Sequence, residues 1–125
     1  MGGIIMKCEE LQIGDWIQNK NGDPMRIIKV GKGFIQGFSY VFCDEYNQPE
    51  GIPLTKEILE KNRWKETQYG HEYQDGNNSI QACLPDMRGK INGIEVEHFR
   101  CEYVHQYQHL LRLCGLDELA DNFKV

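Results

Sequence analysis

Between positions 98 and 109 the chain reads HFRCEYVHQYQH, which places His98, Cys101, His105 and His109 within twelve residues. Imidazole and thiolate are the side chains that hold zinc, and histidines four apart share one face of a helix, as in the HExxH signature. At the place of that signature's glutamate this chain has Gln106, so the general base of a zinc hydrolase is missing. A hydrolytic centre also needs a third protein ligand. His98 belongs to the preceding strand, on its apolar face with Ile94 and Val96, and Cys101 sits at the strand–helix junction. At about 100° per residue, Tyr103, Val104, Tyr107, Leu110, Leu111 and Cys114 form one apolar stripe. His105 and His109 fall on the opposite, solvent side. The stretch is therefore read as an ordinary amphipathic helix. His105, His109 and Cys101 stand as candidate zinc ligands, and no metal or other cofactor is expected.

Other chemistries find less support. The five cysteines, Cys8, Cys43, Cys83, Cys101 and Cys114, include no CxxC pair, and their odd number argues against a complete disulfide framework. Cys8, Cys43, Cys83 and Cys114 lie in apolar or strand-like contexts, where an inert buried thiol is expected. Ser39 and Ser79 lack a GxSxG elbow. The carboxylate pairs Glu9–Glu10, Asp44–Glu45 and Glu95/Glu97 are explained by solvent exposure. GKG at Gly31–Gly33 has strand-like sequence on both sides, which excludes a P-loop and suggests a tight turn. No catalytic residue is assigned. Lys20, Arg26, Lys29 and Lys32, interleaved with Trp16, Phe34, Phe38, Tyr40 and Phe42, could serve a single nucleic-acid strand. A net charge of −5 opposes that use. Tyr69, Tyr73 and Tyr103 are candidate half-exposed contacts for a protein partner.

The elements that must position these residues follow from periodicity and turn chemistry. With 40% apolar and 26% charged residues in 125, the chain fits a single globular domain. No apolar run is long enough to span a membrane, and MGGIIMKCEE lacks the basic and apolar regions of a secretory signal, so a cytoplasmic location is expected. Residues 7–52 read as β-structure, with a type I′ hairpin predicted at Asn21-Gly22. Glycines at 31, 33 and 37 suggest bends, and hence a small SH3-like barrel or a twisted antiparallel sheet. Residues 53–125 begin with a short helix over Lys56–Asn62, capped by Thr55 and closed by a left-handed Asn62. A β-meander follows, with turns at Asp75–Asn78 and Asn92-Gly93. The amphipathic helix then packs on the sheet through Val104, Tyr107, Leu111 and Cys114, ends at Gly115, and leads into a short terminal helix. The predicted class is α+β, one domain over residues 1–125.

Three segments, LQIGDW (Leu11–Trp16), IPLTKEILEKN (Ile52–Asn62) and YVHQYQHLLRLCG (Tyr103–Gly115), resemble those of a group of short proteins encoded by phages and integrated mobile elements of gut bacteria. That group reads L-x-I-G-N-W-V at the opening strand, P-I-P-L-T-x-E-I-L-x-K-x-G-F in the middle and Y-V-H-x-L-Q-x-L-L in the last helix. Here Asp15 stands for Asn, Arg63-Trp64 for Gly-Phe, and Tyr107 for Leu. The second departure removes a glycine cap; the third keeps an apolar face. The resemblance implies a bacterial phage or mobile-element origin and transfers no catalytic residue. The expected function is a non-enzymatic accessory or protein-interaction module, with an unknown protein partner or a homodimer as its target. The alternatives are a single-stranded nucleic-acid-binding small barrel using Lys20, Arg26, Lys29 and Lys32, and a small-ligand-sequestering or zinc-binding protein.

Overall fold

The first hairpin shows how a side chain can overrule a turn signature. In the computed structural model, β1 (Trp16–Gln18) and β2 (Pro24–Arg26) pair antiparallel, Trp16 opposite Arg26. The type I′ turn expected at Asn21-Gly22 is not formed, because Asn21 does not take positive φ; only Gly22 does, at 84°. Asn19, 8% exposed, organises the loop instead. Its Oδ1 accepts from the N–H groups of Asn21 and Asp23 at 2.9 and 3.0 Å, and the Gly22 N–H donates to the Asn19 carbonyl at 3.0 Å. An Asn side chain that mimics a turn in this way favours a longer loop than the two-residue connection.

The structure describes residues 8–38, 40–43 and 47–125. Ser39, Asp44 and Glu45 lie outside this set, as does the side chain of Cys43. The chain divides into two compact units, Met1–Ile52 and Pro53–Val125.

In the N-terminal unit, a 3₁₀ turn at Cys8–Glu10 precedes β1 and β2. Then come β3 (Lys29–Gly31), β4 (Phe34–Gln36), β5 (Val41–Cys43) and β6 (Glu50–Gly51). They form two antiparallel sheets, ordered β2-β1-β6 and β3-β4-β5. Both are open, and among the described residues no barrel closes; of the two sheet forms expected, the antiparallel sheet is the one found. Cys8, Leu11, Ile17, Ile27, Ile35 and Phe42 make the core, with Met25 against it. Asp15 of the GDW segment is fully buried, and its Oδ2 accepts the Gln12 N–H at 2.8 Å while its carbonyl accepts the Ile27 N–H at 3.0 Å. That carboxylate therefore closes a turn.

In the C-terminal unit, α1 (Lys56–Lys61) starts at Thr55, whose Oγ1 accepts the Ile58 N–H at 3.3 Å. The left-handed residue at its end is Arg63, with φ 69°, and not Asn62, whose φ is −110°. Asn62 makes another connection. Its Nδ2 donates to the Lys124 carbonyl at 2.7 Å and its Oδ1 accepts the Lys124 N–H at 2.8 Å, so one amide pairs with backbone as a strand would. Next come β7 (Lys65–Thr67), β8 (Gly70–Asp75), β9 (Asn78–Cys83), β10 (Asp86–Ile91) and β11 (Ile94–Arg100), a five-stranded antiparallel meander in sequence order. Here Asn-Gly does form the tight turn: Asn92 and Gly93 both take positive φ, 53° and 78°, between the partners Ile91 and Ile94. His71, Tyr73, Ile80, Ala82, Met87 and Ile91 are buried along the inner face.

The last helices are α2 (Val104–Leu113) and α3 (Asp117–Asp121). Val104, Tyr107, Leu110, Leu111 and Cys114 are buried, so the apolar stripe does face inward. Leu111, with no exposed surface, contributes about 1.5–3 kcal/mol by leaving water. A ladder of rings carries α2 onto the sheet: Trp64 lies 5.7 Å from Tyr73 and 5.9 Å from Tyr107, which lies 5.4 Å from Phe123. Gly115, φ 83°, ends α2, with the Leu116 N–H donating to the Leu111 carbonyl at 2.8 Å and the Gly115 N–H to Arg112 at 3.0 Å, the paired bonds of a Schellman cap. The fold is a small α+β arrangement, as the periodicities predict.

Candidate functional site

The four ligand-type residues of HFRCEYVHQYQH do not meet at one point. A bulge in β11, between the pairs Met87–Phe99 and Gly89–Val96, turns His98 out of the ladder with φ 52°. Its side chain is 74% exposed, 3.4 Å from Asp86 Oδ2, so the expected place on an apolar face is corrected. Ile94 is 47% exposed as well. Cys101 has no exposed surface, and burial pushes its thiol up to about 12. A zinc thiolate needs the opposite shift. His105 is 7% exposed, which overturns its expected solvent position. Its ring stacks on Tyr103 at 5.9 Å and meets the half-buried His109 edge-on at 5.6 Å. Helix α2 is covered beyond its apolar stripe: Gln108 is fully buried and donates to the Ala120 carbonyl of α3 at 3.1 Å. Gln106, at the glutamate position of HExxH, accepts the N–H groups of Glu102 and Tyr103 at 2.7 and 3.0 Å, a helix-capping task.

The basic candidates spread over successive elements of the N-terminal unit. Lys20 lies in the β1–β2 loop, Lys29 on β3 and Lys32 in the β3–β4 turn, all exposed. Arg26 lies over the half-buried Trp16 ring, 5.5 Å from its centroid, so this aromatic is already stacked on a cation. Phe42, another candidate platform, is buried in the core. Of the tyrosines, Tyr69 is 81% exposed and Tyr103 half-buried, whereas Tyr73 is 3% exposed and donates to Asp75 Oδ2 at 3.2 Å. Burial, then Asp75, raises its phenol above the ordinary value. Cys83, expected to be buried, is exposed.

Two further features emerge from the structure. The first is a ligand cluster in the C-terminal unit. Glu66 and His71 are direct cross-strand partners in the β7–β8 ladder, and Glu60 comes from the last turn of α1. One ligand atom from each lies within 4.8 Å of the others. His71 is 8% exposed, with Nε2 2.8 Å from Glu60 Oε2, while both glutamates reach solvent. This is the one set of three metal-ligating side chains to converge among the described residues. Spacing offers no motif for it, because the residues come from three elements. The only available signal is the two-residue turn after β7, which sets 66 opposite 71.

The second is a set of exposed apolar side chains on the N-terminal unit. Six of the nine exposed large apolar side chains among the described residues belong to it: Ile13, Ile28, Val30, Phe38, Tyr40 and Val41. Phe38, at the tip of the β4–β5 hairpin closed by the Gly37 N–H to the Tyr40 carbonyl at 2.8 Å, is 88% exposed. Tyr40 follows at 38% and Val41, on the edge strand β5, at 46%. A separate groove of about 750 Å³ in the C-terminal unit is bordered by Arg63, Trp64, Asp75, Glu118 and Phe123. Its aromatic floor belongs to the ring ladder already engaged in packing.

Compared with models of protein families, with curated proteins and with solved structures, the chain finds no significant match. Among the described residues no helix is long and apolar enough to cross a membrane.

Proposed function

We propose that this chain is a non-enzymatic protein-interaction module, an accessory of a phage or mobile element, that engages its partner through the β3–β5 sheet of the N-terminal unit. The observation that carries the reading is Phe38, an aromatic side chain 88% exposed at a hairpin tip, with exposed Tyr40 and, on the edge strand β5, exposed Val41 close to it in sequence. Exposed apolar side chains that cluster mark association sites more often than chance. β5 is also an edge strand of its sheet, and an extended segment can add to such an edge as a further strand. The accessory role rests on the three resembling segments, of which LQIGDW and IPLTKEILEKN build a turn and a capped helix.

The test places a photo-crosslinking phenylalanine analogue at position 38 and, as control, at exposed Tyr69. A discrete cross-linked species from position 38 only, either the dimer of this chain or one partner, is the expected result. No discrete product, or the same products from both positions, refutes the assignment of this surface. Phe38→Ser with Val41→Lys should abolish the product while leaving the melting temperature unchanged.

A further inference from the structure

We propose that Glu60, Glu66 and His71 form a binding site for a divalent transition-metal ion of the zinc class. The site lies in the C-terminal unit and is independent of the interaction surface proposed above. One imidazole nitrogen with two carboxylates is a donor set suited to Zn²⁺ or Mn²⁺, whereas Mg²⁺ and Ca²⁺ favour oxygen alone. The geometry requires little rearrangement. Ligands of a tetrahedral zinc, at bonds of about 2.0–2.1 Å, lie about 3.3 Å from one another. His71 Nε2 and Glu60 Oε2, 2.8 Å apart, are already inside that span, and all three ligand atoms lie within 4.8 Å of one another. The residue that must move is a glutamate on the surface, while the histidine is held.

That holding is visible in the sheet. His71 stands in the β8 strand with Glu66 opposite on one side and Ala82 opposite on the other, and its ring is buried. A ligand with its rotamer fixed by packing loses little freedom on binding a metal. Electrostatics points the same way. Two carboxylates share the site, and neither makes an ion pair with a lysine or arginine among the described residues; Glu60 pairs with His71. A dication between them replaces like-charge repulsion by attraction to both. Three protein ligands, with the two glutamates facing solvent, leave a coordination position open to water.

The experiment titrates metal-free full-length protein with Zn²⁺ alone, and separately with Mg²⁺ alone, by calorimetry, with native mass spectrometry for stoichiometry. One zinc per chain is expected, with Mg²⁺ at least tenfold weaker. Glu66→Gln and Glu60→Gln, both at exposed positions, should each weaken zinc at least tenfold in a metal-free protein that still folds and unfolds cooperatively. His71→Asn should remove binding. The His105→Ala, His109→Ala double variant should bind as the parent does. The proposal is overturned by absence of zinc binding, by wild-type affinity in both glutamine variants, by equal affinity for Mg²⁺, or by loss of zinc in the double histidine variant.

Discussion

Arg63 closes α1 with φ 69°, a backbone region in which a side chain's Cβ crowds the adjacent carbonyl. For a non-glycine residue this costs about 1–2 kcal/mol. Replacing Arg63 by glycine removes that cost but raises the entropy of the unfolded chain, an offset of about 0.5–1 kcal/mol. The expected net gain is therefore about 0.5–1 kcal/mol, or about 2–5 °C in melting temperature for a chain of this length. The guanidinium gives up little when removed. It makes no hydrogen bond or ion pair with a described residue, and its positive charge acts on the Tyr73 phenol. Urea unfolding of the parent, Arg63→Gly, Arg63→Asn and Arg63→Ala separates conformation from charge. Glycine should move the midpoint up with the slope unchanged, asparagine should gain part of this, and alanine, which keeps the Cβ, should gain nothing. If alanine gains as much as glycine, the cost lies in the arginine side chain and the backbone reasoning is wrong.

Two further predictions concern the C-terminal unit. The Cys101 thiol, raised by burial to about 12 from an ordinary value of 9, stays neutral in the folded chain while the unfolded chain ionises. Its contribution is complete below pH 9 and is lost as pH rises from 9 towards 12, at about 1.4 kcal/mol per pH unit. Stability measured in urea at pH 8, 9 and 10 should fall less steeply for Cys101→Ala than for the parent, and equal slopes would contradict the burial argument. Gly89, φ 137°, faces β9 so closely that an added Cβ would lie 2.1 Å from the Ser79 carbonyl oxygen. Gly89→Ala should cost about 3 kcal/mol or more, against about 1–2 kcal/mol for Gly93→Ala, which meets nothing within 4 Å; comparable urea midpoints for the two would show that the strands are not in such close approach.

What could be read from the residues was what depends on local period. The stripe from Val104 to Cys114 and its stop at Gly115 follow from helical spacing and the need for a left-handed cap. The start of α1 at Thr55 is equally local. What could not be read depends on partners distant in sequence. Two Asn-Gly pairs look alike, yet Asn92-Gly93 turns tightly while Asn21-Gly22 yields to the side chain of Asn19. The bulge at His98 is set by the register against β10, so strand alternation put the imidazole on the wrong face. Burial of His105 could not be inferred from the apolar stripe of α2 alone. The barrel expectation came from glycine-bent strands, but closure depends on which edges pair, and β3 and β5 remain edges. The Glu60–Glu66–His71 cluster combines a helix end with a hairpin register, and neither residue type nor spacing announces it.

The two Asn-Gly pairs also set how this molecule ages. Succinimide formation begins when the following backbone nitrogen attacks the asparagine side-chain carbonyl, which requires the amide to swing freely. Asn92 is held, its Nδ2 donating to the Cys114 carbonyl at 2.9 Å while its own N–H donates to Asn78 Oδ1 at 2.7 Å. The side chain of Asn21 sits on an exposed loop, with its backbone N–H engaged by Asn19 and its amide making no hydrogen bond among the described residues. Deamidation therefore starts in the first hairpin, where a new carboxylate beside Lys20 and Asp23 alters charge and leaves the ladder intact. The same chemistry at Asn92 would set a negative charge against the carbonyl that ends α2, so the hydrogen bond that orders the second turn also preserves it.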